Sequence, residues 1–519
     1  MGPGAVVAAV TAERSGVRGA GRHAVANLVG AALTALAGVA LHVVVTRAWT
    51  PAEAGLFFVA SSLFLVGAAV AVLGSNVGAV YFVSRYRALG RTPEIRPVLV
   101  AGLLPVAAAS LLVAVLGWLA APWLVDTLAD SPGVARDEVV AAVRVLLPFV
   151  PCAAAAEFAL AACRGFGAMR PLLLIERLGR SALQLAAVAA VAAWGLSAGT
   201  ALPLAWVAPS LPAALAAAVW LAVLVRRAGG GAGGPGSAWR GQWRPFWRYT
   251  GPRALANLLQ VMLQRLDIVL VGVLRGVADA AVYTAATRFL VVGQLAGQAL
   301  STSVQHRLAA HLATGDRAAA GALYQAATGW LVLLSWPVYL GGALLAEPVL
   351  ALFGPGYTAG RTVLVVLALT MLVATGCGMV DAVLMMAGRT SWTLYNAAAA
   401  GTVNIAANLW WIPAHGILGA AAAWSLAILL NNLVPLLQLH RACGLHPFGR
   451  GTRLAAGLAM SCFGVLPLAV RAVAGAGSAP AAAALAVGAA AYAAAAWRWR
   501  GPLHLDSLRA LRRAAPATT

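Results

Sequence analysis

Five polar residues recur at helical spacing within one apolar stretch of the sequence: Arg253, Asn257, Gln260, Gln264 and Asp267. At about 100° per residue, all five fall within about 40° of the direction of Arg253, on a face roughly 21 Å long. A guanidinium group binds phosphate through paired, charge-assisted hydrogen bonds. Amide groups donate hydrogen bonds to hydroxyl groups and accept hydrogen bonds from them. The face is therefore suited to a ligand that carries both phosphate and hydroxyl groups.

A milder polar face lies in the first apolar run of the sequence. Its polar or small members are His23, Asn27, Gly30, Thr34, Gly38 and His42. Polar groups face lipid only at a high cost in free energy, so we expect both faces to look toward protein or water. Two such faces opposite each other would line a hydrophilic cavity, with His23 and Asn27 among its binding residues.

Asp267 also allows a purely structural interpretation. Arg288, in the next apolar run, lies at a similar depth, and Arg265 precedes Asp267 by two residues. Asp267 would then form an ion pair with one of these arginines, and the amides would only bond neighbouring helices. For any single residue we favour this interpretation. For the whole face, which is polar over most of a membrane's thickness, we favour a cavity that Arg288 also lines.

Two further acids, Glu157 and Asp381, lie within other apolar runs, near the end predicted to face the cytoplasm. Together with Asp267 they are the candidate sites for coupling transport to protons or sodium ions. Alternatively, Glu157 and Asp381 pair with Arg177 and Arg180.

The composition places these residues in a membrane. The chain has 519 residues, of which 62% are hydrophobic and only 10% are charged, and its mean hydropathy is +0.86. A soluble protein of this size needs far more charge to cover its surface, so we predict an all-α polytopic membrane protein. The net charge is +21. Because the arginines lie in short loops between apolar runs, this charge does not indicate nucleic-acid binding.

About fourteen apolar runs are long enough to span a bilayer. They are residues 24–48, 54–83, 97–121, 139–163, 171–195, 201–225, 251–274, 279–304, 320–346, 362–387, 391–412, 416–439, 454–474 and 479–497. With the N-terminus inside, twenty-five arginines fall in inner segments and only five in outer segments. This asymmetry follows the positive-inside rule and predicts that both termini are cytoplasmic.

The two halves of the chain resemble each other. ANL at 26–28 recurs at 256–258, AEAGLF at 52–57 recurs as ADAAVY at 278–283, and Glu157 matches Asp381. A duplicated unit of six helices, an even number, gives two parallel repeats with a binding site between them. We therefore predict two six-helix lobes around a central cavity, plus two C-terminal helices.

The predicted domain boundaries follow from this repeat. The first lobe covers residues 1–227, and a Gly-rich cytoplasmic linker covers 228–246. The second lobe covers 247–441, and the two extra helices and a basic tail cover 442–519.

Six stretches, in order from the first predicted span to the twelfth, carry a family resemblance. They are TRAWTPAEAGLFFVASS (46–62), FVSRYRALGR (82–91), FWRYTGPRALANLLQ…RLDIVLVG (246–272), AAVYTAATRF (280–289), LFGPGYTAG (352–360) and IPAHGILGAAAAWSLAILLNN (412–432). The chain resembles the polysaccharide-repeat-unit flippases of the multidrug/oligosaccharidyl-lipid/polysaccharide exporter superfamily. The resemblance implies a V of two lobes in the plasma membrane of a bacterium. It also implies alternating access that moves an undecaprenyl-pyrophosphate-linked oligosaccharide to the outer leaflet.

The implied partners are this lipid-linked oligosaccharide and membrane lipids, with a polysaccharide polymerase and glycosyltransferases as further candidates. One alternative is a cation-coupled drug exporter of the same superfamily, and another is a membrane polysaccharide polymerase or glycosyltransferase. The sequence shows no nucleophile–base constellation and no metal-ligand spacing of His or Cys. We therefore expect no catalytic residues, no metal, no cofactor and no enzymatic activity.

Overall fold

The computed structural model describes residues 30, 32–126, 135–229, 238–475 and 478–505, and every regular element within them is a helix. The predicted all-α fold is confirmed, and its apolar helices make the chain a multi-pass membrane protein. We use "inner" and "outer" for the helix ends that the arginine distribution predicts to face the cytoplasm and the outside.

The first lobe begins with α1 (Ala32–Ala48). Eight further helices follow it: α2 (Pro51–Val72), α3 (Ser75–Ala88), α4 (Ile95–Asp126), α5 (Arg136–Leu146), α6 (Val150–Gly165), α7 (Ser181–Ala193), α8 (Ala201–Val207) and α9 (Ser210–Arg227). A π-helical segment, Leu172–Arg180, leads into α7.

The second lobe begins with the two long helices α10 (Ala238–Arg275) and α11 (Val277–Ala313). It continues with α12 (Arg317–Leu344), α13 (Ala346–Ala351), α14 (Arg361–Gly376), α15 (Val380–Met386) and α16 (Thr390–Cys443). The predicted linker at 228–246 overlaps α10, which already starts at Ala238. The boundaries of the lobes remain a prediction.

The C-terminal helices are α17 (Arg450–Ala459), α18 (Leu466–Ala474) and α19 (Ser478–Arg498). A π-helical segment, Met460–Val465, joins α17 to α18. In the described residues, nine helical segments are long and apolar enough to cross a membrane. The number of fourteen spans remains a prediction.

Two predicted spans contain breaks that apolar character alone does not reveal. In span 54–83, Leu73 and Gly74 adopt left-handed conformations (φ 51° and 64°) and divide it into α2 and α3. In span 362–387, Gly378 (φ 70°) separates α14 from α15. The second break places Asp381 in the first turn of a short half-helix.

Gly416 divides α16 into two antiparallel halves. Its backbone (φ 59°, ψ −140°) is not helical, and this region of conformational space is open essentially only to glycine. Asn396, before the bend, and Gln438, after it, exchange two side-chain hydrogen bonds of 2.7 and 3.0 Å. The halves therefore correspond to the two separate predicted spans 391–412 and 416–439.

Gly416→Ala is expected to destabilise the protein by about 1–3 kcal/mol, because an alanine at this φ and ψ is strained. The measurement is thermal unfolding of the purified protein in detergent. Gly457→Ala, at a helical position with no atom within 4 Å of the added methyl group, is the matched control. Equal melting temperatures for the two variants would contradict the role of Gly416 in the bend.

The two lobes meet at their outer ends, where the repeated stretches AEAGLF and ADAAVY contact each other. Gly55 in α2 lies so close to the start of α11 that a methyl group on it would overlap the Val277 carbonyl oxygen. Beside this contact, Arg47 donates hydrogen bonds to the carbonyl oxygens of Leu352 (Nε, 2.8 Å) and Ala351 (Nη2, 2.9 Å). The contact region therefore holds the outer ends of the lobes together.

Candidate functional site

Helix α10, which carries the predicted polar face, lies between the two lobes. It packs against α2, α3 and α4 of the first lobe and against α11 and α16 of the second. With neighbours from both lobes, α10 is an internal helix rather than a peripheral one. An exposed polar side chain on it therefore has access to a space between helices.

Two packing contacts orient the polar face of α10. Leu259 and Leu263 approach Gly401 of α16, and they lie at about −120° and −80° from the direction of Arg253. Gly272 approaches Val59 of α2 on the other side, at about 100°. The polar face, within about 40° of Arg253, therefore lies between the side of α10 that contacts α16 and the side that contacts α2. It points toward the gap between the lobes.

The predicted site residues divide into three groups along this face. Gln260 and Gln264 are exposed, whereas Asp267 is buried, with 4% of its surface accessible. The backbones of Arg253 and Asn257 lie in α10, and their side chains lie outside the described part of the structure. Of the other three predicted residues, Arg288 lies in α11, and His23 and Asn27 lie outside the described residues.

Asp267 closes the outer end of the face in a buried cluster. The hydroxyl group of Tyr283, on α11, donates a hydrogen bond of 3.2 Å to its Oδ2. Its Oδ1 is buried and has no hydrogen-bond partner among the described residues. A buried carboxyl oxygen without a partner is costly, which makes Asp267 a group able to bind a proton or a cation.

The suggested ion pair of Asp267 with Arg288 or Arg265 is not found. None of the ion pairs in the described part of the chain includes any of these three residues. Instead, Arg288 Nη2 lies 3.5 Å from the hydroxyl of Thr287, and its Nε is buried without a partner among the described residues. In the described part of the chain, the carboxylate of Asp267 therefore contacts Tyr283 and forms no ion pair with Arg288 or Arg265.

His42 of α1 joins the same region from the first lobe. Its ring stacks on Phe58 of α2, with 4.9 Å between centroids and 19° between planes. Its Nδ1 lies 2.6 Å from the Gly38 carbonyl oxygen. Arg265 and Arg288 are near enough to act on the ring electrostatically. The outer end of the site therefore combines ionisable groups from both lobes.

Tyr283→Phe is expected to lower the free energy of unfolding by about 1–3 kcal/mol, because both carboxyl oxygens of Asp267 would then lack a donor. A double-mutant cycle with Asp267→Asn, measured by thermal unfolding, isolates this coupling. The charge-swapped pair Asp267→Arg with Arg288→Asp is the comparison, and we expect no recovery of stability from it. Recovery by the swap, with no coupling to Tyr283, would contradict the observed arrangement.

The other candidate acids occupy corresponding places in the two lobes. Glu157 lies in α6, where its carboxylate accepts a hydrogen bond of 2.6 Å from Asn76. Arg180, one of its suggested partners, pairs with Glu176 instead at 2.5 Å. Asp381 lies in α15, and its Oδ1 is buried without a partner among the described residues. Neither acid joins the cluster around Asp267.

The comparisons with known proteins match this architecture. The MatE family matches residues 252–410, from α10 into α16. A solved structure of "Lipid II flippase MurJ, inward closed conformation" has a TM-score of 0.69 at 14% identity, over 92% of this chain and 98% of that chain. An inward-facing multidrug resistance MATE transporter of the MOP superfamily has a TM-score of 0.64 at 17% identity, over 79% and 94%. The chain has the fold of the MOP exporter superfamily.

A third solved structure, a MOP superfamily transporter from Pyrococcus furiosus, has a TM-score of 0.53 at 16% identity, over 80% of this chain and 94% of that chain. No curated protein matches the chain.

Tyr283 is a hydrogen-bond partner of Asp267 that was not predicted from the sequence. Its only signal was its place in the repeated stretch ADAAVY, which starts the helix next to α10.

Proposed function

We propose that this protein is a flippase for undecaprenyl-pyrophosphate-linked oligosaccharide repeat units, which it moves from the cytoplasmic to the outer leaflet for surface polysaccharide synthesis. The observation that carries the proposal is the polar face of α10, which lies between the contacts with α16 and α2. A polar path along the gap between two lobes suits a large hydrophilic head group. The lipid tail of such a cargo stays in the bilayer.

The residues on this face fit the cargo chemically. Arg253 is suited to the pyrophosphate through charge-assisted hydrogen bonds. Asn257, Gln260 and Gln264 offer the donors and acceptors that sugar hydroxyls need. The chain carries 36 basic but only 15 acidic residues, which favours an anionic lipid over a cationic drug. Its role is that of a transporter and not of an enzyme.

The contacts of the lobes support alternating access. The Gly55–Val277 and Arg47–Leu352 contacts hold the outer ends together. We infer that cargo enters from the inner side in this state, and that transport requires these contacts to separate. Asp267 is the leading candidate for ion coupling because of its unpartnered Oδ1, with Glu157 and Asp381 as further candidates.

A cation-coupled drug exporter is the second candidate function. The observation that favours it is the same buried carboxyl oxygen of Asp267, because such exporters need acidic groups in the cavity. A drug exporter predicts that Asp267→Asn abolishes resistance to cationic compounds, while lipid-linked intermediates stay at normal levels.

Depletion of the protein in its host tests the proposed function. We expect lipid-linked repeat units to accumulate on the cytoplasmic side, where they are protected from reagents that cannot cross the membrane. Normal levels and normal exposure of these intermediates after depletion would contradict the proposal.

A further inference from the structure

A cavity lies at the inner end of the molecule, apart from the cluster around Asp267. It has a volume of about 740 Å³ and lies between α3, α6 and the inner part of α10. Arg85 and Ser84 of α3, Arg164 of α6 and Tyr249 of α10 contribute to its wall. We name it the inner cavity. Its volume is in the range of small-molecule sites.

The wall of the inner cavity contains two arginines. None of the ion pairs in the described part of the chain includes Arg85 or Arg164. Arg85 Nη1 donates a hydrogen bond of 3.2 Å to the hydroxyl of Tyr81, which also lines the cavity. Arg164 Nε is buried and has no partner among the described residues. Two such guanidinium groups around one cavity favour an anion.

One acid lies near this cavity, but it is not part of the wall. The negative charge of Glu157 favours the positive charge of Arg164, whereas the positive charge of Arg177 disfavours it. The carboxylate of Glu157 accepts a hydrogen bond from Asn76 Nδ2, and Asn76 lines the cavity whereas Glu157 does not. Arg85 and Arg164 are the only charged residues that line the inner cavity in the described part of the chain.

An aromatic contact connects the inner cavity to α10. The rings of Tyr81 and Tyr249 stack with 4.0 Å between their centroids and 15° between their planes. Tyr249 precedes Arg253 by one helical turn and lies about 40° from it around the axis. The inner cavity therefore includes a residue on the side of α10 that carries the polar face.

We propose that the inner cavity is an anion site that takes a pyrophosphate group through Arg85 and Arg164. From this site the cargo passes along Tyr249 to Arg253. The identity of the ligand as the cargo's pyrophosphate rests on the proposed flippase function, whereas the anion site itself does not. Arg85 and Arg164 are then binding residues that act before Arg253.

The anion site is tested with inorganic pyrophosphate. The full chain, in nanodiscs of phosphatidylcholine, is titrated with pyrophosphate, and its thermal stabilisation gives a Kd. Arg85→Gln and Arg164→Gln are each expected to weaken binding about tenfold or more, since each removes charge-assisted hydrogen bonds. Arg226→Gln, at an exposed position at the inner end of α9, is the control and is expected to bind like the unmodified protein.

Two outcomes of this titration would overturn the site: no stabilisation of the unmodified protein, or Arg85→Gln and Arg164→Gln proteins that bind as tightly as the control. Arg164→Lys keeps a charge but not the planar fork, so intermediate binding by it would exclude misfolding as the cause. Because the probe is inorganic pyrophosphate, this result is independent of whether depletion of the protein affects lipid-linked intermediates.

A competition experiment identifies the source of the phosphate group. Undecaprenyl pyrophosphate in the nanodisc is expected to displace inorganic pyrophosphate, whereas phosphatidylglycerol at the same mole fraction is expected to leave it bound. Equal displacement by both lipids would overturn the assignment to the cargo. In that case the inner cavity would be a general site for anionic phospholipids.

Discussion

Arg253→Ala is expected to reduce export of lipid-linked repeat units roughly 10- to 100-fold, because a hydrogen bond to a charged group contributes about 1.5–3 kcal/mol. The arginine lies at the inner end of the polar face of α10, directly after the inner cavity. The variant is expected to remain inserted and folded, because alanine has the highest helix propensity and position 253 lies inside α10. Surface polysaccharide, normalised to the amount of protein in the membrane, is the measurement.

Arg253→Lys separates charge from geometry. Lysine keeps the positive charge but binds as a point charge, without the planar fork. We therefore expect export by Arg253→Lys to fall between that of the unmodified protein and that of Arg253→Ala. Normal export by Arg253→Ala at normal protein level would contradict a pyrophosphate-binding role for this residue.

Gly55→Ala is expected to separate the outer ends of the two lobes and to reduce export severely. The added methyl group would overlap the backbone carbonyl oxygen of Val277, and backbone, unlike a flexible side chain, cannot yield locally. The state in which the outer ends are in contact is therefore destabilised relative to a state with separated outer ends. The Arg47 hydrogen bonds to Leu352 and Ala351 are expected to break as well.

Thiol labelling measures this shift. The five native cysteines are replaced, and a single cysteine at Gln264 is labelled from outside with a membrane-impermeant reagent. Gly55→Ala is expected to raise the labelling rate several-fold. Gly341→Ala in α12, where no atom lies within 4 Å of the added methyl group, is the control. If Gly55→Ala is labelled no faster than the control, the outer contact does not control access.

Features that lie along a single helix could be predicted from the sequence. The polar face of α10 follows from the rotation per residue, and burial of its outer end follows from the apolar residues after Asp267. The bend at Gly416 falls at the start of the predicted span 416–439, because a reversal of the chain needs a residue that tolerates an unusual backbone. These properties depend on local spacing and conformational freedom.

Features that depend on packing between helices could not be predicted in the same way. The sequence offered Arg288 and Arg265 as partners for Asp267, but the rotation of α11 relative to α10 selects Tyr283. The inner cavity combines side chains of α3, α6 and α10, helices that are far apart in the sequence. Tyr249 and Arg164 belong to one wall only because α10 packs against α3 of the first lobe, as α6 does.

The central claim is that the polar face of α10 contacts the cargo during transport. Site-specific photo-crosslinking tests it most directly, with a photoreactive amino acid at Gln260, Gln264 or Met262 in cells that make lipid-linked repeat units. Met262 lies about 160° from Gln260 around the helix. We predict crosslinks to lipid-linked oligosaccharide from Gln260 and Gln264 and none from Met262. Equal crosslinking from all three positions, or none from the two glutamine positions in a protein that still exports, would contradict the account.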